Sequence, residues 1–109
     1  MLVIDKNNRI TIINGDTGIL NLKVSNYALK EGDTVTLTVK ATLDAKPLIS
    51  KVIDSFNEDG TCTIVLNPND TVGLKAGTYI YDIQLNLSDG RVDTIIGPVP
   101  FTIIRGVTD

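Results

Sequence analysis

Apolar residues recur at every second position along most of this chain, and the 3.6-residue spacing of an amphipathic helix is sustained nowhere. The cleanest stretch is Thr34–Leu43, where Val35, Leu37, Val39 and Ala41 face one way and Thr34, Thr36, Thr38 and Lys40 the other. That is the pattern of a half-buried antiparallel strand. The same alternation predicts strands over Arg9–Ile13, Ile19–Val24 and Thr61–Leu66, and a long one over Thr78–Ser88 with Tyr79, Tyr81, Ile83, Leu85 and Leu87 on one side. Shorter strands are expected over Arg91–Ile96 and Val99–Ile104, separated by Gly97 and Pro98. Pro47–Phe56 is less regular, which suits an edge position or a bulge.

Turn residues fall between these runs at intervals of about 8 to 12 residues, the spacing of sandwich folds. Gly15 and Gly18, the Glu31–Asp33 stretch, Asn57–Gly60 and the Asp89–Gly90 pair supply the backbone freedom that tight turns need. Asp89–Gly90 is the strongest hairpin signal. Asn67–Asp70 breaks the strand before it, and Asp70 is placed to cap one helical turn over Thr71–Leu74. Eight strands with no long helix predict an all-β fold of two packed antiparallel sheets, because a single sheet would leave an apolar face wet. The expected core is Val35, Leu37, Val39, Ile64, Leu66, Leu74, Tyr79, Tyr81, Ile83 and Leu85. Leu74, Gly77 and Tyr79 at the start of the long strand also match the tyrosine corner of immunoglobulin-like sandwiches, in which the phenol bonds back to the preceding loop.

At 109 residues the chain has room for one domain, spanning residues 1–109, and its 42% hydrophobic and 21% charged residues fit a folded globule. Net charge is −3 with no run of Lys or Arg, so the electrostatic footprint of a nucleic-acid binder is missing. Two Phe, three Tyr and no Trp also make a poor platform for stacking bases or sugars. No apolar stretch reaches the roughly 18 residues of a membrane span. Asp5, Lys6, Asn7, Asn8 and Arg9 interrupt the first ten residues where a signal peptide would be apolar. A single cysteine excludes an intrachain disulfide.

Histidine is absent, which removes the commonest general base and the usual partner of a serine or cysteine nucleophile. Cys62 lies on an apolar strand face and reads as a small core residue. Asp82 and Asp93 fall on strands that the Asp89–Gly90 hairpin would make neighbours, so they are the carboxylate pair to weigh for hydrolytic chemistry. No aromatic cleft flanks them, and solvated strand-face charge is the better reading. Asp16, Asp33, Asp44, Asp54, Glu58, Asp59 and Asp70 sit in or beside turns, where an Asp side chain bonds nearby backbone. The calcium-loop spacing of acidic residues is missing, so neither a cofactor, a metal nor a catalytic residue is expected.

The ordered motifs resemble small immunoglobulin-like structural proteins of tailed phages and prophages, especially those of Gram-positive hosts. The likeness runs through Gly15–Thr17, Glu31–Thr34 with Leu37 and Val39, Asn69–Thr71 with Leu74, Gly77–Leu85, Asp89–Gly97 and the closing Val107–Thr108. It implies an immunoglobulin-like sandwich of about seven to eight strands and a non-enzymatic virion component of the tail, baseplate or head-tail region. Its expected partners are other virion or prophage proteins, or a second copy through a sheet edge, with no nucleic acid and no membrane. The expected location is the virion, or the host cytoplasm during assembly. A bacterial cell-surface adhesion domain of the same build is the alternative. The edges expected to carry such contacts are the first strand, Arg9–Ile13, and the last, Val99–Ile104.

Overall fold

The computed structural model describes residues 1–107, so Thr108 of the closing motif lies outside the described residues. Eight strands form two sheets: β1 (Leu2–Ile4), β2 (Ile10–Ile13), β3 (Gly18–Leu22), β4 (Thr34–Lys40), β5 (Ile49–Ile53), β6 (Cys62–Leu66), β7 (Gly77–Asn86) and β8 (Val92–Ile104). One helix, α1 (Pro68–Val72), joins β6 to β7. The larger sheet runs β1-β2-β8-β7-β4-β5 and the smaller pairs β3 with β6. The outer strands of the larger sheet curl towards the smaller one, β1 coming against β3 and β5 against β6.

The alternation read from the sequence sets the faces. Val35, Leu37 and Val39 of β4, Tyr81, Ile83 and Leu85 of β7, and Cys62, Ile64 and Leu66 of β6 are all buried in one core, joined by Ile10, Ile12, Leu20, Phe101 and Ile103. Tyr81 and Phe101 meet edge to face with ring centroids 6.0 Å apart, an arrangement that the ring quadrupoles favour. Leu74 and Tyr79 pack against this core only partly buried, and Ala41 is exposed beyond the end of β4.

Several expectations are corrected. The larger sheet is mixed, because β2 runs parallel to β8, with Ile10 opposite Phe101 and Ile13 opposite Ile104. The missed strand β1 pairs outside β2, so neither Arg9–Ile13 nor Val99–Ile104 is a sheet edge. Three residues are too few to display a period, and parallel pairing needs a long crossover that local pattern cannot report. The two strands expected over Arg91–Ile96 and Val99–Ile104 are one: Gly97 and Pro98 lie within β8 without ending it. Its register on β7 slips between Tyr81 and Ile83 and again between Ile83 and Gln84, as β-bulges do. The helical turn starts earlier than expected, with Asn67 as cap and Pro68 in the first position, where its missing N–H costs nothing. Asp70 sits inside the first turn, and its carboxylate accepts the Asn67 N–H at 2.7 Å.

Two glycines are required by close approach. A side-chain carbon on Gly18 would stand 2.9 Å from Ile12 and 3.0 Å from Leu2, where β1 and β2 press on the start of β3. Gly60 has φ +81° and lies against Ala28, whose Cβ would be 2.7 Å from an added one.

Candidate functional site

Asp82 and Asp93 do lie on neighbouring antiparallel strands, yet Asp82 stands opposite Thr38 of β4 while Asp93 stands opposite Leu85. Directly paired residues share a side of the sheet and successive ones alternate. Asp82 and Leu85 are three positions apart on β7, so the two carboxylates fall on opposite sides. Cys62 is buried, and burial pushes its thiol up, away from the thiolate. Among the described residues no three Cys, Asp or Glu side chains converge as a metal-binding group. None of the described helices is long and apolar enough to cross a membrane.

The densest polar cluster surrounds Asp33, the charged side chain of the buried core. Its Oδ2 accepts the Tyr27 hydroxyl at 2.7 Å and the Lys30 N–H at 3.1 Å, and its Oδ1 accepts the Ser88 N–H at 2.9 Å. Lys30 Nζ donates in turn to the Tyr27 hydroxyl at 2.8 Å and lies 5.0 Å from the centre of that ring. Burial pushes the Asp33 carboxyl up, but the Tyr27 hydroxyl, the Ser88 and Lys30 N–H groups and the Lys30 charge outweigh it and hold the group below the usual carboxylate range. Beside it opens a shallow depression of about 730 Å3, walled by Leu29–Thr34 and Asp54–Asn57. Asp33 spends its oxygens on the protein itself, tying the loop before β4 to the β7–β8 hairpin. The sequence reading placed Asp33 in a turn and missed its long-range bond to Ser88, 55 residues away.

The expected tyrosine corner is present as a hydrogen bond: the Tyr79 hydroxyl donates to the Lys75 carbonyl at 2.7 Å. A net hydrogen bond of this kind contributes about 0.5–1.5 kcal/mol. Tyr79→Phe is therefore expected to lower stability in urea by that amount without changing the amide spectrum elsewhere. A second clamp adjoins it. Asn14 Nδ2 donates to the carbonyls of Thr71 and Leu74, each at 2.9 Å, and the Gly15 N–H donates to the buried Thr71 hydroxyl. Lys51 of β5 reaches Asp70 of the helix at 2.8 Å.

A groove of about 620 Å3 runs along the side of β3 away from β6. Residues Leu20–Ser25 form one wall, Ile95 and Ile96 of β8 the floor, and Ile4, Asp5 and Asn8 the far wall. The β1–β2 turn that supplies this far wall is held in place. Asp5 accepts the backbone N–H groups of Asn7 and Arg9 and the Arg9 side chain, and the Tyr81 hydroxyl donates to the Asn8 carbonyl. Burial pushes the Tyr81 phenol up to about 12, with the nearby Asp5 charge adding to it, so the hydroxyl stays a donor through the neutral range. Sequence reasoning did not find this groove. Its one local signal is the adjacent pair Ile95–Ile96, which breaks the alternation just before Gly97 and Pro98. Set against protein-family models, curated proteins and solved structures, the chain matches none of them.

Proposed function

We propose that this chain is a non-catalytic interaction module of immunoglobulin-like build, serving as a structural component of a phage or prophage virion. The strand order supports the build. With β3, β4, β5, β6, β7 and β8 taken as strands B, C, C′, E, F and G, B pairs with E in one sheet and C′, C, F and G follow one another in the other, the arrangement of those strands in immunoglobulin domains. The Tyr79 hydroxyl bond at the start of strand F is in the corresponding corner. The parallel pairing of β2 with β8 is an addition to the two-sheet plan.

The observation that carries the functional reading is where the polar chemistry is spent. Asp33, Tyr27, Tyr81, Asn14 and Thr71 all bond to the protein's own backbone or side chains, and the two strand carboxylates face apart. What remains for function is surface and strand edge, which suits assembly with other virion proteins or with a second copy. The gene neighbourhood tests the setting: flanking tail and portal genes support it, whereas a neighbouring sortase would favour the cell-surface adhesion alternative. The non-catalytic part is tested with Asp82→Asn combined with Asp93→Asn. Fold and partner binding are expected to be unchanged, and loss of a reproducible hydrolytic activity with the fold retained would overturn the reading.

A further inference from the structure

We propose that Asn14 is a deamidation site held shut by the fold, and that its conversion to a carboxylate releases the clamp between β2 and the α1–β7 loop in one direction. Asn14 is the one asparagine of this chain that precedes a glycine. No Cβ on Gly15 hinders the approach of its nitrogen to the Asn14 side chain. The chemistry needs only water. The Gly15 nitrogen gives up its proton and attacks Asn14 Cγ; the new C–N bond closes a cyclic succinimide, and the side-chain nitrogen leaves with that proton as ammonia. Water then adds to either imide carbonyl, breaks one C–N bond and leaves aspartate or isoaspartate.

The fold blocks the first step. The Asn14 N–H donates to the Ile104 carbonyl at 2.8 Å and the Asp16 N–H to the Ile13 carbonyl at 3.0 Å, which fixes the turn. The Asn14 side-chain amide donates to the carbonyls of Thr71 and Leu74, each at 2.9 Å. The attacking group is held as well, because the Gly15 N–H donates to the Thr71 hydroxyl at 2.9 Å. Nitrogen and carbon meet only when the bonds on both sides of the peptide break together. Deamidation therefore proceeds from an opened state, and its rate counts openings. The Asp59–Gly60 and Asp89–Gly90 pairs lack this arrangement: their carboxylates accept the N–H groups of Thr61 and Arg91 within their own turns, and an ionised carboxylate is a poor electrophile.

The polarity of the clamp makes the change one-way. Both partners of the Asn14 amide are carbonyls, which need a donor. A carboxylate at position 14 has none to give and would face them oxygen to oxygen. Asn14 also lines a depression of about 400 Å3 with Leu74, Lys75, Ala76 and Arg105. Water reaches the succinimide there, and the cations of Lys75 and Arg105 attract the new charge. The product turns from the carbonyls towards these side chains, and the loop between α1 and β7 loses its hold on the end of β2.

The test incubates the full chain at neutral pH, folded and in urea, and follows the mass gain on the fragment that carries Asn14. The folded chain is expected to react about tenfold or more slowly than the unfolded one. Thr71→Val keeps the size of the side chain but removes the acceptor of the Gly15 N–H, and should speed the folded reaction by about two- to tenfold, the equivalent of one hydrogen bond. Thr71→Ser, which keeps the hydroxyl, should react at the wild-type rate. Ile83→Ala lowers global stability from outside the clamp and should leave the Asn14 rate unchanged. Asn14→Asp, which installs the product directly, should exchange its Gly15 amide about tenfold or more faster than wild type while the β7 amides hold. Equal rates in the folded and unfolded chains, a Thr71→Val rate no higher than wild type, or an Ile83→Ala rate that rises as far as that of Thr71→Val would overturn the gate. A Gly15 amide in Asn14→Asp as protected as in wild type would overturn the release.

Discussion

Replacing Ile83 with alanine is expected to cost about 2–5 kcal/mol in a denaturant titration. Ile83 is fully buried near the middle of β7, paired with Leu37 on one side and Ile96 on the other. Truncation removes the transfer energy of three carbons and leaves a cavity that flanking strands, held by main-chain bonds on both sides, cannot collapse to fill. The β7–β8 bulge begins at this residue, so a loss near the upper end would indicate that the bulge is rigid and a loss near the lower end that it relaxes. A change under about 1 kcal/mol would be incompatible with a central core position.

Asp33→Ala is the second large effect. The substitution removes an acceptor for three donors, the Tyr27 hydroxyl and the Ser88 and Lys30 N–H groups, and hydrogen bonds to a charged group are worth roughly 1.5–3 kcal/mol each in mutational series. Water can reach part of the cluster through the neighbouring depression, so a total loss of about 3 kcal/mol is expected rather than the sum. The pH dependence follows from the direction of the shift. The folded carboxyl lies below its ordinary value, so the unfolded chain takes up the proton first as pH falls. The contribution is fully present above the unfolded pKa, about 3.9 for an Asp, and disappears as pH drops through the folded one. Asp5, Asp59 and Asp89 are also held low, Asp5 and Asp89 chiefly by a backbone N–H and Asp59 chiefly by the Thr61 hydroxyl, and act with the same sign. Wild type and Asp33→Asn are therefore expected to differ most near neutrality and to converge below about pH 4. A stability gap that widens on acidification would refute the assignment.

The two effects stand at opposite ends of what could be read beforehand. Ile83 belongs to an alternating strand, and alternation is a local property that the fold preserved residue by residue in β4, in β6 and in β7 from Tyr81 onward. The turn chemistry at Gly15, Gly32, Gly60 and Gly90 was local as well, and all four glycines have positive φ, whereas Gly18, expected in the first turn, begins β3 without one. The Tyr79 corner was visible because its acceptor, the Lys75 carbonyl, is only four residues upstream. Asp33 was legible only by half: its bond to Lys30 is a turn, but its bond to Ser88 depends on how two distant loops are brought together.

By itself the sequence determined which residues are extended, which face of each strand is apolar, where the chain turns, and that no histidine is available for catalysis. It also contained the Ile95–Ile96 break in alternation without revealing what lay across from it. Beyond the β7–β8 hairpin already legible at Asp89–Gly90, only the tertiary structure decided which strands are neighbours. It placed β2 parallel to β8 and β1 outside both, turning two expected edges into interior strands. It set Asp82 opposite Thr38 and Asp93 opposite Leu85, on opposite sides of one sheet, and it left β3 open beside a groove built from three separate stretches of chain. The reason is the range of the interactions. A period of two sets the side of the sheet from each residue's own neighbours, whereas pairing order is chosen by the burial and main-chain bonding of segments as much as 91 residues apart, as Ile10 and Phe101 are.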